Sequence, residues 1–151
     1  MAEQYKVGDF MTSPVTSLSP RSSLLEAALM MRRTGYRHIP ITEDDRLVGI
    51  ITDRDVSRLA PSRLEKITAE EYNSVLDATV LESVMTAHPV TVTLATPVIE
   101  AVALLHRRKL GCLPVVDGEK LAGIITVTDM LEILYRLLGG KAVSAFELES
   151  T

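Results

Sequence analysis

Hydrophobic and polar positions follow one pattern that occurs twice along the chain. Residues 24–31 place apolar side chains on one helical face, and residues 98–105 repeat that spacing. A short extended segment precedes each helix, and two apolar runs follow it, at 38–42 and 47–52 in the first half. The turn of the second hairpin is Asp117-Gly118, which is typical of β-hairpins. A further helix, clearest at 128–138 before Gly139-Gly140, completes a β-α-β-β-α unit.

The two units are copies of each other. The run LVGIITDRD at 47–55 returns as LAGIITVTD at 121–129, an offset of 74 residues. The sequence predicts one copy at 7–60, a linker with a short helix at 61–80, a second copy at 81–138 and a C-terminal tail at 139–151. A copy of roughly 60 residues is marginally stable alone, so we expect both to share one α/β core with pseudo-twofold symmetry.

Composition narrows the class of protein. The 151 residues include 16 basic and 20 acidic side chains, a net charge of −4, which does not favour binding to nucleic acid or to an anionic membrane. The single cysteine, Cys112, can form neither an internal disulfide nor a thiolate zinc site by itself. No apolar run has the length of a signal peptide or a membrane span. These features favour a cytoplasmic protein.

The segment Thr52-Asp53-Arg54-Asp55 carries the clearest candidate chemistry. A threonine at the start of a helix presents a hydroxyl and free N–H groups to a phosphate, and an aspartate three residues later can accept from two ribose hydroxyls. The same spacing also forms a plain capping box, and the two roles are compatible. Arg37 and His38 begin the preceding strand, where alternation points them to opposite faces, so either one of them faces a phosphate or both belong to a solvated strand end.

Three ordered motifs, found twice, resemble the CBS domain (the cystathionine β-synthase type). They are MTSPVT at 11–16, GYRHIPI at 35–41 and GIITDRD at 49–55, with MTAHPVT at 85–91, LGCLPVV at 110–116 and GIITVTD at 123–129. The resemblance implies a tandem pair, or Bateman module, of the stand-alone bacterial or archaeal type. Such modules regulate by binding adenosine-containing ligands (AMP, ADP, ATP, S-adenosylmethionine or NAD) between the repeats, require no cofactor and pair into dimers.

The resemblance also implies a set of ligand-binding residues. It assigns the threonine of Thr-x-x-Asp to a phosphate and the aspartate to a ribose, and it places apolar strand residues and nearby threonines around an adenine. Carried onto this chain, the set is Thr16, Arg37, His38, Ile39, Pro40, Thr52, Arg54, Asp55, Thr91, Leu113, Pro114, Thr126, Thr128 and Asp129. The strand members of the set can equally be core residues. Cys112 is expected to be a buried, inert thiol, and no residues are assigned to catalysis or to a metal.

Three hypotheses of function remain at this point. The first is a sensor that binds an adenosyl ligand and signals to an unidentified protein effector by changing conformation. The alternative is a dimerisation module with no ligand. An enzyme acting on a nucleotide is disfavoured, because no general base or nucleophile is evident. A homodimer is expected because the last helix is apolar nearly all round.

The two copies are not chemically equal. The offset of 74 pairs Arg37 with Gly111, His38 with Cys112, and Arg54 with Thr128. The first copy therefore keeps three candidate phosphate partners that the second lacks. We expect one cleft to bind phosphorylated ligands more tightly than the other.

Overall fold

The fold combines one mixed β-sheet with six α-helices in the described residues, which are 5–62 and 66–141 of a computed structural model. A 3-10 turn at Val7–Asp9 opens it. The helices are α1 (Leu24–Thr34), α2 (Asp53–Leu59), α3 (Ala69–Asp77), α4 (Leu81–Val84), α5 (Val98–Arg108) and α6 (Val127–Leu137). The strands are β1 (His38–Glu43), β2 (Arg46–Thr52), β3 (Thr86–Ala87), β4 (Val92–Thr93), β5 (Cys112–Asp117) and β6 (Lys120–Thr126).

Local sequence signals explain the helix caps and turns of both copies. The hydroxyl of Ser23 accepts from the Glu26 N–H at 3.2 Å and caps α1. The hairpin turn of the first copy uses Asp44 and Asp45, both with positive φ, where aspartate is tolerated. At the other end of the chain Gly139 has φ 94° just after α6. The β-α-β-β-α order predicted from periodicity is confirmed in both copies.

The two hairpins join end to end in the sheet, whose order is β1-β2-β6-β5-β4. The copies meet where Arg46 pairs with Lys120, and the Leu47 N–H donates to the Glu119 carbonyl at 3.2 Å. Each copy has its own buried cluster, one around Leu24 and Ile51 and the other around Ala101 and Ile125. A third, smaller cluster of Ile50, Cys112 and Ile124 draws on both copies. The core is therefore shared.

The segment that opens each copy docks on the other copy. Thr12 of the first copy pairs with Ile124 in β6, and β3 of the second copy pairs with β2. The Val7 N–H donates to the Thr96 carbonyl at 2.9 Å, and the equivalent bond runs from the Leu81 N–H to Ser22 at 2.8 Å. Sequence periodicity did not predict this reciprocal exchange. Through this exchange each copy is hydrogen-bonded to the opening segment of the other.

Two glycines permit the exchange. A Cβ on Gly123 would lie 2.7 Å from the Met11 sulfur and 2.8 Å from the Thr12 carbonyl oxygen, both on the docked segment of the first copy. Gly49 meets Met85 in the same way. Glycine is needed at these positions because another backbone approaches closely.

The stretch between the copies contains α3, which packs on α1. Leu76 of α3 is buried, and Tyr72 packs against the same cluster of the first copy. Most of the predicted tail, residues 142–151, lies outside the described residues.

Candidate functional site

The Thr-x-x-Asp segment of the first copy forms a complete capping box at the start of α2. The Asp55 N–H donates to the Thr52 hydroxyl at 3.2 Å, and the Thr52 N–H donates to Asp55 Oδ2 at 2.9 Å. The second oxygen, Oδ1, lies 3.3 Å from a guanidinium nitrogen of Arg58. The structural role predicted for this motif is therefore confirmed.

The second copy repeats the box at the start of α6. The Thr126 N–H donates to Asp129 Oδ2 at 2.8 Å, and the Asp129 N–H donates to the Thr126 hydroxyl at 3.2 Å. Both aspartates are half-buried on the first turn of the helix that follows a strand. Each carboxylate is thus held in a fixed orientation by its own helix.

Backbone pairing brings the start of β1 to this box. His38 lies opposite Thr52 in the hairpin register, and the Asp53 N–H donates to the Arg37 carbonyl at 2.9 Å. Arg37 and Arg54 are exposed, while His38 is half-buried. Five of the predicted residues of the first copy (Arg37, His38, Thr52, Arg54 and Asp55) are therefore brought together.

His38 reaches across to the second copy. Its imidazole lies so close to Gly111 that a Cβ there would be 2.5 Å from His38 Nε2. Burial lowers the pKa of His38, and the nearby Arg37 and Arg54 lower it further, against the opposing effect of Asp53 and Asp55. The neutral imidazole is favoured in this position.

In the second copy, the equivalent positions at the start of the strand carry uncharged residues. Cys112 lies opposite Thr126, and the Val127 N–H donates to the Gly111 carbonyl at 3.0 Å. The Cys112 side chain is buried, which raises the pKa of its thiol to about 12. The expectation of a buried thiol is confirmed.

The apolar members of the predicted set and its three other threonines lie outside the two capping boxes. The side chains of Ile39, Pro40, Leu113 and Pro114 are buried in the strands. Thr16 and Thr91 are exposed, just before Leu18 and Val92, which pair in parallel with β1 and β5. Thr128 is exposed on the first turn of α6.

Asp129 also lines a cavity of about 120 Å³ that sequence reasoning missed. Asp9 and Phe10, from the segment that crosses over from the first copy, form one wall, and Glu132, Ile133 and Arg136 of α6 form another. Arg136 donates to Glu132 at 2.9 Å. The sequence signal available for this cavity was the Met-Thr pair, which is repeated at 11–12 and 85–86. That repeat indicated where each copy begins, but it did not show which part of the protein the opening segment contacts.

A protein-family model described as "CBS domain" matches the chain twice, at residues 7–62 and 81–136. The chain belongs to the CBS-domain family. Its two repeats form a CBS pair, as the resemblance of its motifs indicated. The family model begins each repeat at the crossing segment described above.

Relatives of this CBS pair include a CBS domain-containing protein of Dictyostelium discoideum, 29% identical over 134 residues, covering 87% of this chain and 92% of the relative. Among solved structures, CBSX2 of Arabidopsis thaliana in complex with AMP has a TM-score of 0.74 and 28% identity, covering 89% of this chain and 98% of that one. The CBS pair of protein MJ0100, in complex with 5′-methylthioadenosine and S-adenosyl-L-methionine, has a TM-score of 0.71 and 25% identity, covering 87% of this chain and 97% of that one.

In the part of the chain that the structure describes, no helix combines the length and the apolar character needed to cross a bilayer.

Proposed function

We propose that this CBS pair is a regulatory module that binds an adenosine-containing ligand between its repeats and signals by changing conformation. The observation that carries the proposal is the pair of fixed carboxylates, Asp55 and Asp129, at equivalent positions of a fold whose relatives hold AMP, 5′-methylthioadenosine or S-adenosylmethionine. Such carboxylates can accept hydrogen bonds from ribose hydroxyls. The role is regulatory and not catalytic.

The fold explains how a ligand bound between the repeats can change their relative arrangement. Each repeat contributes strands to its own hairpin and a docked segment to the other, so a ligand between them contacts groups from both. A ligand shifts a conformational equilibrium only by its differential affinity for the two states. A change in the angle between the repeats is the kind of motion that this arrangement transmits to a protein effector.

A thermal-shift screen of the full chain tests the proposal. AMP, ADP, ATP, S-adenosylmethionine and NAD are added separately, with guanosine monophosphate as the matched control for the base. Binding to the folded state raises the melting temperature, and a ligand at about 100 times its Kd stabilises by about 2.7 kcal/mol. A shift with at least one adenosyl compound supports the proposal. No shift with any of them favours the alternative, a dimerisation module without a ligand.

We further propose that the module is a homodimer. Leu131 and Leu134 of α6 are exposed, Leu138 just after it is exposed by 79%, and Ile99 of α5 is exposed by 55%. A groove of about 340 Å³ between these helices has mainly apolar lining. Contiguous exposed apolar surface of this kind commonly marks a site of association with another protein. A twofold pairing would bring the same helices together across the axis.

A further inference from the structure

We infer that the two clefts differ in the charge of the ligand that each one takes: the cleft of the first repeat binds a phosphorylated adenosyl compound, and the cleft of the second repeat binds an uncharged or cationic one. The inference rests on the proposed adenosyl function. The juxtaposition that carries it is the set of charged side chains around Asp55, compared with the equivalent set around Asp129.

The first repeat gathers cations. Arg37 is exposed just before β1, Arg54 is exposed on the first turn of α2, and Arg58 lies 3.3 Å from Asp55. With Asp53 and Asp55, three arginines stand against two aspartates around this box. The excess charge is positive even when His38 is neutral. Guanidinium groups with unsatisfied donors are the side chains that recognise phosphate best.

The second repeat replaces those cations by neutral or acidic groups. Gly111 stands at the position of Arg37, Thr128 at that of Arg54 and Glu132 at that of Arg58. Around Asp129, the cavity contains three carboxylates, those of Asp9, Asp129 and Glu132, against the single guanidinium of Arg136. Glu132 already accepts from that guanidinium at 2.9 Å. The excess charge here is negative, which disfavours a phosphate and favours a cation such as a sulfonium.

The crossing segment accounts for part of this difference. Asp9 belongs to the first repeat by sequence but lines the cavity of the second. Its equivalent in the segment that crosses the other way is Ser83, which carries no charge. The exchange of segments therefore adds the Asp9 carboxylate to the cavity beside Asp129.

Binding of adenosine and AMP, measured by calorimetry on the full chain, tests the inference, because the two probes differ only by the phosphate. Wild type is expected to bind AMP at one site at least tenfold more tightly than adenosine. The advantage should fall at high salt, since it is electrostatic. Each repeat can be given the charges of the other: Arg37→Gly with Arg54→Thr removes cations from the first cleft, and Asp9→Ser with Glu132→Arg removes carboxylates from the second.

The first pair of substitutions should reduce the affinity for AMP about tenfold or more and leave adenosine binding within about twofold, the scale of lost charge-assisted hydrogen bonds. The second pair should create a second AMP site of comparable affinity. Arg108→Thr is the matched control: it also replaces an exposed arginine by its counterpart in the other repeat, Thr34, and should change neither affinity.

The outcomes separate this inference from the proposed function. Adenosine and AMP binding with equal affinity, two equivalent AMP sites in wild type, or loss of AMP binding in Arg108→Thr would overturn the charge difference while leaving an adenosyl-binding module. An absence of binding by adenosine, AMP and S-adenosylmethionine alike would overturn the proposed function itself.

Discussion

Two residues in each repeat, Thr52 and Asp55 or Thr126 and Asp129, serve structure and proposed binding at once. One carboxylate oxygen accepts the N–H at the helix start, so the side chain is held before any ligand arrives. Such preorganisation reduces the entropy lost on binding. The sequence alone could not separate the cap from the ligand contact, because both need the same residue types at the same spacing. The structure shows that the cap forms in both repeats.

Removal of one cap should lower stability by a predictable amount. Thr126→Ala deletes the hydroxyl that accepts the Asp129 N–H at 3.2 Å. The free energy of unfolding should fall by about 1 kcal/mol, as for other N-cap threonines. Thr126→Ser keeps an acceptor at the same place and should lose much less. Urea denaturation of the three proteins measures this, and equal losses in both variants would contradict the capping role.

His38 should make the stability of the protein sensitive to mild acid. Because burial lowers its pKa in the folded state, the unfolded chain takes up a proton more readily once the pH falls below the usual value near 6.5. The contribution of His38 is therefore fully present above that value and is lost as the pH falls toward its folded-state pKa. Stability should decline from pH 7 to pH 5.

The matched variant is His38→Gln, which fills a similar volume without titrating in this range. Its free energy of unfolding should depend less steeply on pH between 7 and 5 than that of wild type. Denaturation curves at four or five pH values give the slopes. Identical slopes for the two proteins would show that His38 has the same proton affinity in both states, contrary to its burial against Gly111.

Among the elements, the helices and hairpins could be predicted and the crossing segments could not. The apolar periodicity of α1 and α5, the Ser23 cap and the Asp117-Gly118 turn are local signals, and the structure has each element where they indicate. The pairing of Thr12 with Ile124 joins residues more than a hundred positions apart, and a two-residue strand such as β3 has no periodicity of its own. The one sequence signal of each crossing segment is a glycine in the strand with which it pairs, Gly49 in β2 and Gly123 in β6.

Gly123→Ala should destabilise the docking of the first segment. The new methyl group would meet the Met11 sulfur and the Thr12 carbonyl, and overpacking of this kind costs about 1–3 kcal/mol. Met11→Ala removes one of the two obstacles, so the double variant should recover part of the loss. A double-mutant cycle on unfolding free energies measures the coupling. Strictly additive losses would mean that Met11 does not pack on Gly123.

At the scale of the whole molecule, the exposed apolar face of α6 predicts the oligomeric state. Leu134→Glu with Leu138→Glu should shift the proposed homodimer toward monomer and leave the clefts intact. Val75→Glu on α3 is the matched control, because Val75 is also exposed and apolar but lies in the stretch between the repeats, on a helix that packs on α1. Sedimentation equilibrium at tens of micromolar distinguishes these states. A folded wild-type monomer at that concentration would refute the dimer.

The central claim is that the fixed carboxylates of a CBS pair hold an adenosyl ligand between the repeats. Calorimetric titration of AMP into wild type and into Asp55→Asn with Asp129→Asn tests it most directly, since asparagine keeps an oxygen for the helix cap but lacks the carboxylate. Saturable binding in wild type that weakens at least tenfold in a double variant of nearly unchanged melting temperature is the predicted result. Equal AMP binding by both proteins would contradict the account.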